Sequence, residues 1–447
     1  MQTLFAEKAL TPAGWADRVR LGIADGRIAA VTAGAAPAAG DERAGLVIPG
    51  LVNAHSHAFQ RALAGRTEQR SPRGEDDFWT WRSAMYTLAG NIDAEALRAV
   101  ATQLYCELLE AGYTTVAEFH YLHGGPADAL AMFAALEAAA ETSGIRLLYL
   151  PVLYERAGFG ADGPTSEQRR FALGLDDFLA HHAAARARCT QRIGVGIAAH
   201  SLRAVSEASL EAIAAAGQGG PLHLHVAEQQ REVDECLAAT GRRPVRRLLE
   251  RFDVGPGWCL VHATHMDADE TRDLARSGAV VCLCPGTEAN LGDGLFPLAP
   301  YLAAGGRIAI GSDSQVTIDP FEELRWLEYG QRLVTRSRNV AAGGDPHVGQ
   351  RLFLAALEGG AQAAGQPEPG LAPGAPADLV ELDATDPVLA GHAHATLLDA
   401  LVFSGYRPPV ERVMVAGEWR VAGGRHEAAE KARAAFRTTI DRLWSAR

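Results

Sequence analysis

The feature that most limits how this chain can fold is a regular alternation of strand-like and helix-like segments between residues 49 and 370. Eight short apolar runs have the length and composition of buried strands, at Leu51–Ala54, Thr114–Phe119, Arg146–Val152, Ile193–Ala198, Leu222–Val226, Trp258–Val261, Ala279–Leu283 and Ile308–Ile310. Helical patterns separate most of them, at residues 94–111, 127–142, 167–188, 206–215, 244–251 and 268–276. Eight strand–helix units predict an α/β fold, a (β/α)8 TIM-like barrel.

The two ends of the chain have a different pattern, in which apolar and polar residues alternate as in half-buried strands. Strands are predicted at residues 3–7, 18–23, 27–32 and 46–48, and again at 377–383, 400–403, 410–415 and 418–421, with tight turns at 24–26 and 416–417. We therefore predict a small β-sandwich built from both chain ends. The sandwich consists of residues 1–48 and 371–426, and the barrel of residues 49–370, with a linker at 366–377. A C-terminal helix is predicted at 427–447, and its apolar stripe runs through Ala432, Phe436, Ile440 and Leu443.

Composition narrows the class of protein. The chain has 447 residues and a net charge of -12, so nothing in its charge favours binding to nucleic acid. No leader peptide and no apolar segment long enough to span a membrane is recognisable, which argues against a membrane partner. The six cysteines are scattered without a CxxC pair, and we expect buried free thiols in a reducing cytoplasm.

The chemistry is carried by polar residues at the ends of the predicted strands. His55 and His57 alternate on strand 1 and therefore point to the same side. The other candidates follow strands 5, 6 and 8: His225, Glu228, His262 and Asp313. Active sites of such barrels lie at the C-terminal ends of the strands, so these residues are expected to converge there. His223 shares the parity of His225 but sits deeper, so we expect a core histidine or one that orients a ligand.

Three histidines and one aspartate suit a single Zn²⁺ with one position open to water; Fe²⁺ suits similar ligands. Zinc would lower the pKa of that water, and Asp313 could accept its proton while contacting the metal. We expect Glu228 to move a proton to the leaving group. His262 is expected to be a neutral partner of the tetrahedral centre or a residue that orients one.

The chain has two lysines, Lys8 and Lys431, and both fall outside the predicted barrel. Strand 4, Ile193–Ala198, carries none, which excludes a site with two metals bridged by a carbamylated lysine. A pair of metals bridged by glutamate or cysteine stays open.

These motifs resemble those of the amidohydrolase superfamily in its deaminase branch. The resemblance lies in the His-x-His of strand 1, the His-x-x-Glu of strand 5, the histidine of strand 6 and the aspartate of strand 8. It covers essentially the whole chain. Four runs resemble the subfamily that hydrolyses N-formimino-L-glutamate during bacterial histidine degradation: residues 53–68, 119–121, 200–203 and 225–229.

The resemblance implies a substrate and the residues that contact it. N-formimino-L-glutamate would be hydrolysed to N-formyl-L-glutamate and ammonia. Arg82 and Arg203 can pair bidentately with carboxylates, which suits a dicarboxylate substrate. The resemblance also implicates Gln60, Tyr121 and His200 in substrate binding, and a homodimer is common among similar proteins. The segment Thr67–Asn91, which carries Arg82, is expected to close over the substrate.

Three alternatives remain at this point. The first is another aminohydrolase of the same superfamily, acting on a nucleobase, a pterin or a different amidine; a nucleobase or pterin deaminase would need a flat aromatic pocket with few arginines for carboxylates. A cyclic-amide hydrolase commonly uses a two-metal site, and strand 4 of this chain lacks the lysine that would bridge the two metals. A barrel that only binds a partner would lack a ligand or the proton shuttle, and none is missing from this chain.

Overall fold

The computed structural model describes residues 2–70, 74, 76–124, 126–217 and 219–445. Its strands are β1 (Gln2–Thr11), β2 (Gly14–Ala24), β3 (Arg27–Thr32), β4 (Glu42–Pro49), β5 (Leu51–Ser56), β6 (Tyr113–His120), β7 (Arg146–Leu153), β8 (Ile193–Val195), β9 (Ile197–Ser201), β10 (Leu222–Val226), β11 (Trp258–His262), β12 (Val280–Leu283), β13 (Arg307–Ile310), β14 (Leu379–Leu382), β15 (Val410–Val415), β16 (Glu418–Ala422) and β17 (Arg425–His426).

Strands β5–β13 form a closed parallel barrel, as the sequence predicts. Successive strands pair in parallel, except that β8 and β9 both pair with β7, and β13 returns to β5 through the pair Ile310–Asn53 and a bridge between Ser56 and Asp313. The fourth barrel position is divided into β8 and β9 at Gly196, where an added Cβ atom would lie 2.8 Å from the carbonyl oxygen of Pro221. Glycine there allows the neighbouring backbone to approach.

Helices cover the outside of the barrel and one end of it. They are α1 (Phe78–Asn91), α2 (Ala94–Ala111), α3 (Pro126–Ser143), α4 (Leu175–Arg186), α5 (Glu207–Ala216), α6 (Gln230–Thr240), α7 (Pro244–Arg251), α8 (Ala268–Ser277), α9 (Pro285–Leu291), α10 (Leu298–Ala303), α11 (Pro320–Thr335), α12 (Val348–Ala363), α13 (Leu397–Ser404) and α14 (Ala429–Trp444), with short 3-10 turns at Ala58–Ala62, Pro387–Leu389 and His394–Thr396. None of the helices in these ranges is both long and apolar enough to cross a membrane.

The predicted small domain built from both chain ends is also present. Its strands form one continuous sheet in the order β17-β16-β15-β14-β4-β1-β2-β3, and β4 joins the two ends of the chain by pairing with both β1 and β14. Asp25 and Gly26 have φ values of 51° and 67°, and Ala416 and Gly417 have φ values of 51° and 80°, as tight hairpin turns require. Both predicted turns are confirmed.

Three element predictions need correction. The predicted strand 400–403 belongs to α13, where Leu397, Leu398 and Leu401 are buried; a four-residue apolar run does not distinguish a strand from a buried helix. The predicted helix 167–188 begins only at Leu175, after Gly174. The C-terminal helix ends at Trp444, and residues 446–447 of the prediction lie outside the described part of the chain. The domain boundaries at residues 48, 370 and 426 stay a prediction.

The apolar stripe predicted on the C-terminal helix faces the protein. Ala432 is buried, and Phe436, Ile440 and Leu443 pack against the main core. None of the six cysteines, all of which are described, forms a disulfide, and five of them are buried. The prediction of buried thiols is therefore confirmed for every cysteine except Cys189, which is exposed.

Candidate active site

The predicted site residues converge at the C-terminal ends of the barrel strands. Ten of them line one cavity of about 40 Å³: His57, Gln60, Arg82, Tyr121, His200, Arg203, His225, Glu228, His262 and Asp313. His55 is fully buried beside this cavity, in contact with the rings of His57 and His225. Segments far apart in sequence thus supply one polar centre in an apolar barrel, which is the arrangement expected for this fold.

Three imidazoles meet at the floor of the cavity. Nε2 of His55 lies 3.1 Å from Nε2 of His57 and 3.0 Å from Nε2 of His225. On their other sides, Nδ1 of His57 donates to the carbonyl oxygen of Phe119 at 2.8 Å, and Nδ1 of His225 donates to that of His200 at 3.1 Å. Burial lowers the pKa of His57 to about 3 and the pKa values of His55 and His225 well below their usual range. The neutral rings therefore direct Nε2 lone pairs at one point.

Asp313 completes this group from the end of β13, the strand that pairs with β5 to close the barrel. Its carboxylate lies 3.4 Å from Nε2 of His57 and 3.6 Å from Nε2 of His55. Asp313 has a φ of 44° and His262 a φ of 70°, conformations that non-glycine residues seldom adopt. Gly311 allows the close approach, because a Cβ atom there would lie 2.8 Å from the carbonyl oxygen of His55.

This donor set fits a divalent metal ion. Three unprotonated nitrogens that face one another repel unless a cation lies between them, and an adjacent carboxylate compensates its charge. The possible ligand atoms of His55, His57 and His225 all lie within 4.8 Å of one another. The possible ligand atoms of His262, Cys284 and Asp313 meet the same limit. The number of ions at the site therefore depends on whether this second group binds one as well.

Glu228 and His262, for which proton transfer and stabilisation of the tetrahedral centre stay predictions, lie side by side in the cavity. Nε2 of His262 lies 3.7 Å from Glu228 and 3.8 Å from Asp313, and its Nδ1 lies 3.2 Å from Oε1 of Glu288. Burial by itself would lower the pKa of His262, but Glu228, Glu288 and Asp313 outweigh it and raise the pKa to about 10. The surroundings thus favour an imidazolium, where the sequence had suggested a neutral ring. Glu288, which lies in the first turn of α9, was not among the site residues predicted from the sequence.

A second buried glutamate that the sequence analysis missed supports the loop after β5. Glu118 accepts hydrogen bonds from the amide of Ala58 at 2.7 Å and from the hydroxyl of Ser56 at 2.8 Å. Burial raises the pKa of Glu118 to about 8 despite these bonds. An acidic residue within the apolar strand β6 was the available signal, but nothing in the sequence identified its partners. Glu118 holds the chain on either side of His57.

Two arginines enter the cavity without forming an ion pair. Arg82 and Arg203 are 8% and 5% exposed, and among the described residues neither forms an ion pair with a carboxylate. Arg82 donates to the hydroxyl of Tyr154 at 3.2 Å, and Nε of Arg203 has no hydrogen-bond partner. Since unpaired buried charges are costly, their presence here indicates a site that receives negative charge from a ligand.

The other predicted contact residues present neutral polar groups to the cavity. Gln60 donates to the hydroxyl of Tyr121 at 2.9 Å, while Oε1 of Gln60 has no partner. Burial, with Arg203 and Arg82 nearby, lowers the pKa of His200 well below its usual range, so its ring is neutral. His223 has a structural role, since its Nε2 donates to the carbonyl oxygen of Ala363 at 2.8 Å.

Helix α1 covers the cavity on the side away from the strands. It contributes Phe78, Trp81, Arg82 and Met85 to the lining. Its N-terminus is capped by Asp77 and Thr80, which bond reciprocally to each other's backbone amides. Residues 71–73 and 75 of the predicted covering segment lie outside the described residues, and closure of this segment over a substrate stays a prediction.

Comparisons with known proteins agree with this geometry. Residues 46–420 match the amidohydrolase family, and residues 1–45 match the N-terminal domain of formimidoylglutamate deiminase HutF. A formimidoylglutamate deiminase of Pseudomonas aeruginosa is 47% identical over 99% of this chain and 100% of that protein. An 8-oxoguanine deaminase of the same organism is 30% identical over 85% of this chain and 83% of that protein.

A solved structure shows the same architecture. The crystal structure of an amidohydrolase from Brucella melitensis is 43% identical, with a TM-score of 0.95 over 99% of this chain and 100% of that one. Sequence and fold therefore agree from one end of the chain to the other, and this chain belongs to the amidohydrolase family.

Proposed function

We propose that the protein is a formimidoylglutamate deiminase, which hydrolyses N-formimino-L-glutamate to N-formyl-L-glutamate and ammonia in histidine degradation. The full-length similarity to the Pseudomonas aeruginosa deiminase and the match of residues 1–45 to the HutF N-terminal domain support it. A metal-dependent hydrolase of this family acting on a linear amidine C–N bond accounts for the polar centre of the barrel.

The observation that carries the choice of substrate is the pair of buried, unpaired guanidinium groups of Arg82 and Arg203. Formiminoglutamate has two carboxylates, and each can accept a bidentate pair of N–H donors. A charge-assisted hydrogen bond of this kind contributes about 1.5–3 kcal/mol. A nucleobase has no carboxylate to neutralise either arginine, so it would leave both charges buried and unpaired.

We propose that His55, His57, His225 and Asp313 hold one Zn²⁺; Fe²⁺ suits the same ligands. When bound, such an ion supplies a Lewis acid that polarises the amidine and lowers the pKa of water at the site. Metal analysis distinguishes the arrangements: one equivalent supports this assignment, whereas two would implicate the group of His262, Cys284 and Asp313.

The protein's own residues then manage the protons. Water adds to the carbon of the protonated formimino group and loses its first proton to Asp313, which faces the cavity together with Glu228. His262 donates from Nε2 to the tetrahedral centre. Glu228 then accepts the remaining hydroxyl proton and delivers it to the amino nitrogen, so that the C=O bond forms, the C–N bond breaks, and ammonia leaves N-formyl-L-glutamate behind. Gln60, Tyr121 and His200 hold the substrate in the orientation that this transfer needs.

Ammonia release by the purified, metal-assayed protein tests the proposal. N-formimino-L-glutamate, N-formimino-L-aspartate, guanine and adenine would be compared. Ammonia from formiminoglutamate, with little from the others, is the expected result. Release from a nucleobase alone would keep the hydrolytic centre but contradict the substrate, and no release from metal-loaded protein would contradict the deiminase assignment itself.

We propose a cytoplasmic homodimer. Cysteines without disulfides are typical of reducing compartments, which supports the cytoplasmic location.

The surface that supports the dimer is one side of α11, where Trp326, Leu333 and Val334 are 40%, 75% and 65% exposed. Sedimentation of the wild type and of Leu333→Glu would test the assembly, since a dimer through this surface should dissociate in the variant. A wild-type monomer would contradict the proposal.

A further inference from the structure

Three arginines lie around the indole ring of Trp79 at the edge of the cavity. The guanidinium carbons of Arg231, Arg82 and Arg203 lie 4.3, 5.3 and 5.8 Å from the ring centroid of Trp79. All three distances fall within the range in which a cation is attracted by the electrons of an aromatic ring. Trp79 itself does not line the cavity, whereas Arg82 and Arg203 do.

The three arginines come from separate parts of the chain. Arg82 lies one turn after Trp79 on α1, Arg203 follows β9, and Arg231 stands in the first turn of α6, three residues after Glu228. Trp79 therefore connects the helix that covers the cavity with the segment after β9 and with the first turn of α6. Arg231 is the outermost of the three, since its side chain is 60% exposed and pairs with Glu235.

Arg82, Arg203 and Arg231 carry like charges, so their proximity requires a stabilising contact. Guanidinium groups repel one another, and among the described residues neither Arg82 nor Arg203 forms an ion pair; the carboxylate that acts on Arg203, that of buried Glu232, lies beyond ion-pair distance. The negative face of an indole attracts cations and, unlike a carboxylate, leaves their N–H donors free for a ligand. Preorganised donors bind more tightly than donors that must be ordered by the substrate.

We propose that Trp79 is a positioning residue that holds Arg82 and Arg203 ready for the two carboxylates of the substrate. Arg231 contacts the same ring from α6 and so links α6 to α1. This inference rests on the proposed function and adds a determinant of substrate affinity. Trp79 does not touch the reacting carbon, so its loss should affect KM far more than kcat.

The test compares Trp79→Leu and Trp79→Phe with the wild type. We expect Trp79→Leu to raise KM for N-formimino-L-glutamate about tenfold while kcat stays within about threefold, and Trp79→Phe to recover much of the loss. Trp419→Leu is the matched control, because Trp419 makes a similar contact with Arg412, at 4.0 Å, in the sheet built from the chain ends. Its KM should equal that of the wild type.

A second measurement keeps the test valid if Trp79→Leu does not fold. Fluorinated tryptophans incorporated at position 79 preserve the shape of the ring but withdraw electron density from its face. A stepwise rise in KM with the number of fluorine atoms is expected. An unchanged KM across this series, or a fall in kcat without a change in KM, would overturn the positioning role. If the wild type itself releases no ammonia from formiminoglutamate, the proposed function fails instead.

Discussion

Asn53 and Ser312 join the first and last strands of the barrel by two buried hydrogen bonds. The amide of Ser312 donates to Oδ1 of Asn53 at 3.0 Å, and Nδ2 of Asn53 donates to the hydroxyl of Ser312 at 2.6 Å. Gln315 extends the link, since it accepts from Ser312 and donates to Ser56. The network connects β5, which contains His55 and leads into His57, with the segment that carries Asp313, so it sets the distance between the proposed metal ligands on the two sides of the barrel closure.

Asn53→Ala should therefore weaken both the fold and the metal site. The change leaves the Ser312 amide buried without an acceptor, and we expect a loss of about 2–4 kcal/mol in the free energy of unfolding. Metal affinity should fall as well, because residues that orient ligands typically contribute about 10–100-fold. Urea unfolding and metal titration measure the two effects. Asn290→Ala is the control, since Asn290 bonds to exposed Glu68; equal losses in both variants would contradict the argument.

His225→Ala should lose the metal. Its Nε2 atom is one of the three that converge, and the remaining ligands bind a divalent ion much more weakly. Elemental analysis after dialysis should show a large fall in occupancy. His392→Ala, which alters an exposed histidine, should keep the occupancy of the wild type. Full occupancy in His225→Ala would remove His225 from the ligand set.

Glu228→Gln should separate metal binding from turnover. Glutamine keeps the size of the side chain and removes its ability to carry a proton, so we expect normal metal content and a fall in kcat of about 10²–10⁴-fold. Parallel metal analysis and ammonia assays measure this. Glu235→Gln, on the exposed face of α6, should retain full turnover. Turnover retained by Glu228→Gln would exclude Glu228 from the proton transfer.

The sequence was sufficient to locate the barrel and its polar centre because each predicted metal ligand or proton carrier lies at or just after the end of a short apolar strand. Parallel strands in a closed barrel must end on one side, so His57, His225 and Asp313 could be brought together without knowledge of the register. The partners of these residues could not be predicted in the same way. Glu288 lies on α9, and its contact with His262 depends on how that helix packs against the barrel.

Helices without a clear apolar period were likewise beyond prediction. From the sequence, the residues of α1 were recognised only as part of a segment rich in charged and aromatic residues, so the contacts of Trp79 could not be predicted. The error at α13 has the same origin: its apolar residues are buried on several sides by α11 and α12, and no surface stripe remains to reveal the helical period.

Glu288→Gln tests the contact that the sequence did not reveal. The variant can still accept from Nδ1 of His262 but removes one of the charges that raise the pKa of that ring. We expect kcat to fall about 10–100-fold with unchanged metal content, and the alkaline limb of the pH–rate profile to move to lower pH. Glu323→Gln, another buried glutamate near α9, does not contact His262 and should leave the limb in place.

Glu118→Gln should change how stability depends on pH. Because the pKa of Glu118 is raised to about 8 in the folded protein, the unfolded chain releases this proton at lower pH than the folded one does. Rising pH between the usual glutamate pKa and about 8 therefore favours unfolding, and this contribution is absent from the variant. Urea midpoints at pH 5, 6, 7 and 8 should fall more steeply for the wild type and for the surface control Glu235→Gln than for Glu118→Gln. Equal slopes in all three would mean that Glu118 is ionised throughout this range.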